Sequence, residues 1–296
     1  MKKVWVWLKR IFFWIFILHL SWFLFFIIQK FREPDFPVVN LQQKVLFVCG
    51  GIIVLGLLYY FWLRHIAFIK KTAIVLKELF FIAYISSTLY LLLGILFNPV
   101  ITLTQASSIL RGNGLSRDYI SYDDMGPNIK LAVMAGEDQL FPDHDGFDLK
   151  AIKRAMKYNR RHPNRERGAS TISQQTAKNI FLYQGGGFFR KGIEVFFTFS
   201  TEAIWTKRTI LERYLNVAEM GRGVFGVQAA AKKYFNKDAK YLTRGEAAQI
   251  AASLPNPKKY TVKPLSRYVA SRYDNIMRQM NNLEGDADVQ AIIGPH

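Results

Sequence analysis

The 296-residue sequence contains a single cysteine, few acidic residues, and no stretch in which polar and apolar residues alternate as they do along a β-strand. One cysteine, Cys49, cannot form an intramolecular disulfide and says nothing about the redox state of the compartment. What the sequence has instead is 40 Lys and Arg against 22 Asp and Glu, a formal net charge of +18, and 50% hydrophobic residues. This composition indicates a basic, mainly α-helical protein with a large apolar part.

Charge and hydrophobicity are separated along the chain. Residues 1–98 hold 11 Lys or Arg and 3 Asp or Glu in an otherwise apolar sequence, whereas residues 99–296 hold 29 and 19. The second part is long enough to bury its own core. A basic globular part is typical of proteins that bind nucleic acid, an anionic membrane surface or a phosphorylated substrate. Because an apolar region precedes it, we favour a membrane and a phosphorylated substrate over nucleic acid.

Three apolar runs in the first part predict three transmembrane helices. Residues 11–28, 45–63 and 79–97 comprise 18, 19 and 19 residues without Asp, Glu, Lys or Arg, and a membrane core requires about 20 apolar residues. A cleaved signal peptide is disfavoured for the first run, since no small-residue cleavage site follows it. Lysine and arginine precede the first run and separate the second from the third, so both segments are expected in the cytoplasm. Three crossings then leave residues 99–296 on the outer side.

An acidic cluster interrupts this outer part at residues 136–148, which read GEDQLFPDHDGFD. The apolar run after Pro127 predicts a helix that ends near Glu137 and Asp138, and a turn with Pro and Gly follows. A carboxylate against apolar side chains tends to have a raised pKa, so Glu137 is a candidate general acid or base. Turn and cap positions account for three further carboxylates: Asp143, Asp145 and Asp148. The spaced ligands of a calcium loop are missing.

A second polar motif, residues 168–179, reads GASTISQQTAKN. Ser170 or Thr171 can begin a helix there, and the N-terminus of a helix favours anions. Side chains four residues apart share one face of that helix, and amides with a lysine suit a sugar phosphate: these pairs are Gln174 with Lys178 and Gln175 with Asn179. An ordinary capped surface helix is the alternative interpretation.

A third motif is the segment RKGIE at residues 190–194. Arg190 and Glu194 are four residues apart, which predicts an ion pair within one helix. The functional alternative is a carboxylate that lies beside cations facing a phosphate. Helix start and stop signals predict further helices in the outer part at residues 149–158, 170–182, 189–207, 209–218, 226–235, 243–255 and, as the last one, 266–283.

Taken together, the motifs resemble those of the peptidoglycan glycosyltransferases of family 51, and most of all the monofunctional members. The segments that carry the resemblance occur in the family's order and cover about residues 118–285: EDQLFPDHDGFD, GASTISQQTAKNIFL, RKGIE, ILERYLNVAE and GVFGVQAAAKKYF. The resemblance implies a mainly α, lysozyme-like glycosyltransferase domain at residues 118–296, after a membrane region at 1–98 and a linker at 99–117. It also implies the bacterial inner membrane, with this domain on the periplasmic side.

The activity implied by the resemblance is the polymerisation of lipid II into linear glycan strands, with inversion at the anomeric carbon and release of polyprenyl diphosphate. Lipid II, the growing lipid-linked glycan and the membrane are then partners, and cell-division or penicillin-binding proteins are further candidates. A divalent cation can assist the diphosphate, and the resemblance implies no other cofactor and no dedicated metal site. Two other functions stay open, a lytic transglycosylase or lysozyme-like hydrolase and a non-catalytic scaffold that binds lipid II.

Residue roles carry over by position in the matching motifs. Glu137 matches the general base, and Glu194 matches a second essential glutamate near the leaving diphosphate. Cations that balance the diphosphate match Lys178, Arg190 and Lys191. Polar groups of the substrate cleft match Asp138, Ser170, Gln174, Gln175 and Asn179. The chain departs from the family in its extra residues 1–75, where monofunctional members have one anchor helix, and in Gly186, where the family has an arginine.

Overall fold

The computed structural model describes residues 2–33, 39–163, 167–183 and 185–294. The chain forms two compact units. We call them the N-terminal unit, Met1–Tyr90 with Leu149–Gly168, and the C-terminal unit, Leu91–Asp148 with Ala169–His296. One helix of the outer part therefore belongs to the same unit as the apolar N-terminal helices.

Long apolar helices form most of the N-terminal unit. Helix α1 spans Lys2–Arg32, α2 spans Val39–Phe61 and α3 spans Ala67–Leu93. Helices α1 and α3 are long and apolar enough to cross a membrane, as predicted for the first and third runs. The described apolar portion of α2, Cys49–Phe61, is shorter. Of the three runs predicted to span a membrane, two thus form helices of sufficient length and apolar composition among the described residues.

Aromatic side chains join α1 to α3. Phe16 packs edge-to-face on Tyr84 with ring centroids 5.0 Å apart, and His19 Nδ1 lies 3.2 Å from the Tyr84 hydroxyl. Lys9 of α1 forms an ion pair with Glu78 of α3. Pairing reduces the free energy required to place such charges among apolar side chains. The unit also contains α6, Leu149–Arg161, which begins where the sequence predicts and continues for another turn.

The C-terminal unit consists of helices packed around one buried helix, with a small sheet at its side. In addition to α6 of the other unit, the remaining elements in chain order are α4 (Leu103–Leu110), β1 (Ser116–Arg117), α5 (Pro127–Glu137), α7 (Ile172–Phe181), α8 (Phe188–Ile204), α9 (Lys207–Val217), β2 (Glu219–Gly221), β3 (Val224–Phe225), α10 (Val227–Phe235), α11 (Arg244–Ser253), α12 (Arg267–Leu283) and α13 (Ala287–Ile293).

The buried helix is α5, which carries Glu137 at its end. Residues 129–135 of α5 are all buried, because this stretch is apolar around most of its circumference. Helices α11 and α12 pack against it. The small alanine side chains of α11 let that helix approach α5 closely. At the start of α5 the chain is also tightly packed, since a Cβ on Gly126 would lie only 2.6 Å from the Lys240 carbonyl oxygen. Tight packing on several sides fixes where α5 ends and hence where Glu137 lies.

The structure confirms the predicted helices of this unit and adds elements that the sequence did not predict. The expectation that residues 266–283 form the last helix is wrong, since α13 follows. Residues 99–117, expected as a linker, contain α4 and β1, and the Thr104 hydroxyl donates a hydrogen bond to the Asn179 carbonyl. The sheet has the order β1-β3-β2. Its strands have two or three residues, too few to show an alternating pattern.

Candidate active site

Glu137 is the last residue of α5, and its side chain is 9% exposed. Its Oε2 accepts a hydrogen bond of 2.9 Å from Gln175 Nε2. Its Oε1 lies 3.6 Å from Arg272 Nη2 and has no hydrogen-bond partner among the described residues. Burial raises the pKa of Glu137, while the charge of Arg272 and the hydrogen bond from Gln175 lower it by less. The net effect is a raised pKa, the direction that the sequence predicts for a general base.

The amide of Gln175 is oriented by a second contact. Tyr214 on α9 donates its hydroxyl hydrogen bond to Gln175 Oε1 at 3.2 Å, so the amide Nε2 faces Glu137. Tyr214 is fully buried, and burial raises its pKa well above 10, so the phenol keeps its proton. The chain Tyr214–Gln175–Glu137 therefore holds the carboxylate in one direction. The sequence analysis did not connect Tyr214 with the base.

Arg272 on α12 is the functional neighbour that the sequence analysis missed altogether. Besides facing Glu137, its Nη2 donates a hydrogen bond of 2.8 Å to the Gly136 carbonyl. A signal was present in the sequence, since Arg272 lies four residues after Tyr268 and four before Ile276, at the spacing of one helix face. A cation in line with core positions requires a partner inside the fold.

Asp138 joins the end of α5 to the start of α7. Its Oδ2 accepts a hydrogen bond of 2.9 Å from the backbone N–H of Ile172, and its Oδ1 lies 3.0 Å from His144 Nε2. The backbone N–H of Gly146 donates to His144 Nδ1, so Nε2 carries the proton and donates to Asp138. These contacts are structural. Binding of substrate by Asp138 stays a prediction.

Most of helix α7 is buried, so some of the predicted cleft residues lie in the interior and others near the surface. Gln174 is 3% exposed and closes a capping box with Thr171, the residue that begins the helix in place of exposed Ser170. Asn179 is also buried. The half-buried polar side chains of α7 are Gln175 and Lys178, which are three residues apart. Gln174 is thus used as a buried cap partner, and its contact with substrate beside Lys178 stays a prediction.

The RKGIE motif forms a turn of α8 with a buried anion at its centre. The Glu194 side chain is 3% exposed, its Oε2 pairs with Arg190 Nη1 at 2.8 Å, and its Oε1 pairs with Lys191 Nζ. The predicted ion pair within this helix is confirmed. The Nε of Arg190 is buried and has no hydrogen-bond partner in the described part of the chain. A cationic donor is thus available to a ligand beside a carboxylate that is already neutralised.

Lys178 connects the two glutamates electrostatically. Burial lowers the pKa of Lys178, Glu194 and Glu137 raise it, and Arg190 and Lys191 lower it. The ammonium therefore lies within the field of both carboxylates and of both α8 cations. Stacking of Phe181 on Phe197, with centroids 4.5 Å apart, holds α7 against α8. The predicted cations Lys178, Arg190 and Lys191 are brought together in this way.

The loop before α8 leaves room for a side chain at Gly186. No atom lies within 4 Å of the place where a Cβ of residue 186 would stand. Nothing in the described surroundings prevents an arginine at this position.

Among the residues that the structure describes, no group of three or more His, Cys, Asp or Glu side chains is placed to hold a metal ion. Both oxygens of Glu194 already face cations.

A buried carboxylate with a raised pKa beside a cluster of cations suits an enzyme that removes a proton from a hydroxyl group and stabilises an anionic leaving group.

Residues 104–281 match the Transglycosylase family. The chain is 50% identical over 197 residues, 66% of its length, to the biosynthetic peptidoglycan transglycosylase of Escherichia coli strain K12, of which the match covers 81%. With that of Pectobacterium carotovorum it shares 48% identity over 206 residues, 69% of this chain and 84% of the relative. The chain belongs to the transglycosylase family.

Proposed function

We propose that this protein is a peptidoglycan glycosyltransferase that polymerises lipid II, a disaccharide-peptide joined through diphosphate to a polyprenyl lipid. The observation that carries the proposal is the pairing, in a chain of the transglycosylase family, of the buried base Glu137 with the cations around Glu194. The lysozyme-like arrangement of the domain at residues 118–296 is part of the same proposal.

The reaction joins a lipid-linked glycan donor to a lipid II acceptor. Glu137 accepts the proton of the 4-hydroxyl of the acceptor N-acetylglucosamine, and the hydroxyl oxygen attacks the anomeric carbon of the donor. The bond from that carbon to the diphosphate oxygen breaks, and the electron pair leaves with the polyprenyl diphosphate. In-line attack inverts the anomeric carbon without a covalent enzyme intermediate. A base that works near neutral pH benefits from the raised pKa that burial gives Glu137.

The leaving diphosphate is stabilised by Lys178, Arg190 and Lys191. Fixed cations lower the free energy of a transition state in which negative charge develops near them. The unpaired Nε of Arg190 offers one hydrogen bond for this purpose. Glu194 does not contact the anion in this proposal, because both its oxygens are engaged. It fixes the direction of two flexible cations instead.

The remaining polar residues position this machinery. Gln175 directs the Glu137 carboxylate, and Asp138 connects the base to the helix that carries Lys178. Ser170 is exposed at the entrance of α7 and is proposed to contact the donor sugar, as are Gln174 and Asn179 if α7 moves. A divalent cation bound to the diphosphate, and contacts with cell-division or penicillin-binding proteins, stay predictions from the family resemblance.

The membrane arrangement proposed here has three spans in the inner membrane, with the N-terminus in the cytoplasm and residues 99–296 on the periplasmic side. Its support is the length and composition of α1 and α3 together with the cationic flanks of the runs. A phosphatase fused to the C-terminus should be active in cells, and a fluorescent protein at the same place should be dark. The reverse pattern would mean that the number of spans is two or four.

One assay tests the function against its alternatives. Purified full-length protein in detergent is mixed with labelled lipid II, and the products are separated by length. Long glycan strands are the expected result. Cleavage of finished glycan without synthesis would indicate a lytic transglycosylase, which has no need for the cations on α7 and α8. Binding without any product would indicate a scaffold.

A further inference from the structure

A cavity lies at the opposite end of α5 from the catalytic glutamate. It has a volume of about 400 Å³ and is bounded by the first turn of α5, the loop before it and α13. Met125, Pro127 and Ile293 give it an apolar wall, and Lys130, Gln290 and the carboxylate of Asp123 contribute polar groups. Small-molecule sites are typically concave, mostly apolar and about 300–1,000 Å³ in volume, with a few polar groups. The cavity falls within this range.

Lys130 is buried beside this cavity, and none of the described residues forms an ion pair with it. The residue is 3% exposed, and its ammonium lies over the ring of Tyr122, 3.7 Å from the centroid. No hydrogen bond or ion pair to the Lys130 ammonium is present in the described part of the chain. An ammonium has three donors and is almost never buried unpaired, because burial removes its hydration. A ring face compensates for only part of that loss.

The neighbouring charges do not neutralise Lys130. Burial and, to a smaller extent, the charge of the nearby Arg208 lower the pKa of Lys130 to about 8, although Asp123 and Glu212 oppose the shift. Asp123 is itself engaged by Arg208, whose Nη2 lies 2.9 Å from its Oδ1. Tyr122 uses its hydroxyl to donate a hydrogen bond to the Ile292 carbonyl. The contribution of α13 to the cavity is neutral.

The start of α5 adds to the positive potential of this cavity. Gly126 is the N-cap and provides no side chain to accept from the first backbone N–H groups, and Pro127 occupies the first turn. Unpaired N–H groups and the helix dipole together favour an anion at such an end. Lys130 belongs to the same turn, so the two sources of positive charge coincide.

We propose that this cavity binds a small ligand that carries one carboxylate or phosphate group beside an apolar portion. Lys130 and the first turn of α5 hold the anion, and Met125, Pro127 and Ile293 contact the apolar portion. The site is independent of the proposed transfer reaction, since none of its residues belongs to the Glu137 or Glu194 clusters. Binding requires the protonated amine, so affinity should fall as the pH rises through the pKa of Lys130.

Competitive labelling of lysines tests this site in the intact protein. The full chain in detergent is treated with a trace of acetic anhydride at constant ionic strength, and mass spectrometry reports the acetylation of each lysine. Exposed Lys150 is the internal reference. Butyrate, acetate and inorganic phosphate are added in turn, with chloride as the control. By mass action, labelling of Lys130 should fall roughly tenfold when the ligand is at about ten times its dissociation constant.

The pattern of protection decides the outcome. Protection by phosphate alone identifies a phosphate site, and stronger protection by butyrate than by acetate identifies an apolar carboxylate. Protection should disappear at a pH well above the pKa of Lys130, and butyrate should raise the melting temperature of the wild type but not of Lys130→Met. Equal effects of all anions, chloride included, would indicate screening and overturn the proposal. It is also overturned if Lys130 titrates as an exposed lysine does and no anion protects it.

Discussion

The two buried glutamates of the site, Glu137 and Glu194, are held in opposite ways. Glu137 has one hydrogen bond, from a neutral amide, and a guanidinium at 3.6 Å, and it keeps one oxygen without a partner. Both oxygens of Glu194 face cations of the same helix. Similar burial thus produces a proton acceptor in one place and a fixed counter-charge in the other. The neighbours, more than the residue type, decide which role a carboxylate has.

The largest expected effect is the loss of activity when Glu137 is replaced. Glu137→Gln keeps the shape and the contact to Gln175 but cannot accept a proton. Since a general base typically contributes about 10²- to 10⁴-fold in rate, polymerisation of lipid II should fall by that factor. Lipid II binding should change little, and Glu284→Gln on the surface is the matched control. Near-normal synthesis by Glu137→Gln would show that another group takes the proton.

Replacing each of the two glutamates should have a different effect on the stability of the protein. Burial disfavours the charged form of Glu137, so Glu137→Gln should leave the free energy of unfolding unchanged or increase it. Glu194→Gln leaves Arg190 and Lys191 without their counter-charge and should lower that free energy by about 1–3 kcal/mol. Denaturant unfolding of both variants in detergent measures the difference. Equal losses in the two variants would contradict the assigned roles.

Arg272 should influence the pH dependence of activity, because its charge lowers the pKa of Glu137. Activity requires deprotonated Glu137, so kcat/KM should rise with pH through a pKa above the ordinary glutamate value of 4.5. Arg272 opposes that shift, and Arg272→Gln should move this acid limb to higher pH. Exposed Arg278 on the same helix gives the control, Arg278→Gln. An acid limb that Arg272→Gln leaves in place would mean that another group sets it.

The same pKa shift has a consequence for stability. With its pKa raised in the folded state, Glu137 binds more protons there than in the unfolded chain at pH values between the two pKa values. The free energy of unfolding therefore falls as the pH rises through this interval. Glu137→Gln should remove this part of the pH dependence, and urea titrations at several pH values show whether it does.

The smallest expected effect is that of a cation added to the loop before α8. Gly186→Arg places a cation in open space ahead of α8, where the family has an arginine. A hydrogen bond to a charged group contributes about 1.5–3 kcal/mol when it is shielded from water, and an exposed loop should realise less. The apparent KM for lipid II should fall, or a phosphoglycolipid inhibitor should bind more tightly. If Gly186→Arg changes neither and Lys191→Ala also has no effect, this loop is not part of the donor site.

Particular residues show how far sequence reasoning reached. The helices predicted at residues 170–182 and 243–255 are present in the structure, where capping boxes at Thr171 and Thr243 begin them. The Arg190–Glu194 pair follows in the same way from a separation of four residues. By contrast, α4 and α13 have eight and seven residues, and helices that short carry little periodic signal. Gln174 has a structural role that the sequence analysis did not assign, since its amide closes the cap of α7.

The sequence by itself determined what depends on neighbours along the chain: the long apolar helices α1 and α3, the ends of α5 and α7, and the cation pair around Glu194. Tertiary structure alone decided that Arg272, 135 residues after Glu137, faces that carboxylate, and that Tyr214 orients Gln175. The physical reason is that helical periodicity defines which face of a helix is buried but gives no register between two helices. The raised pKa of Glu137 and the unpaired ammonium of Lys130 both come from that register.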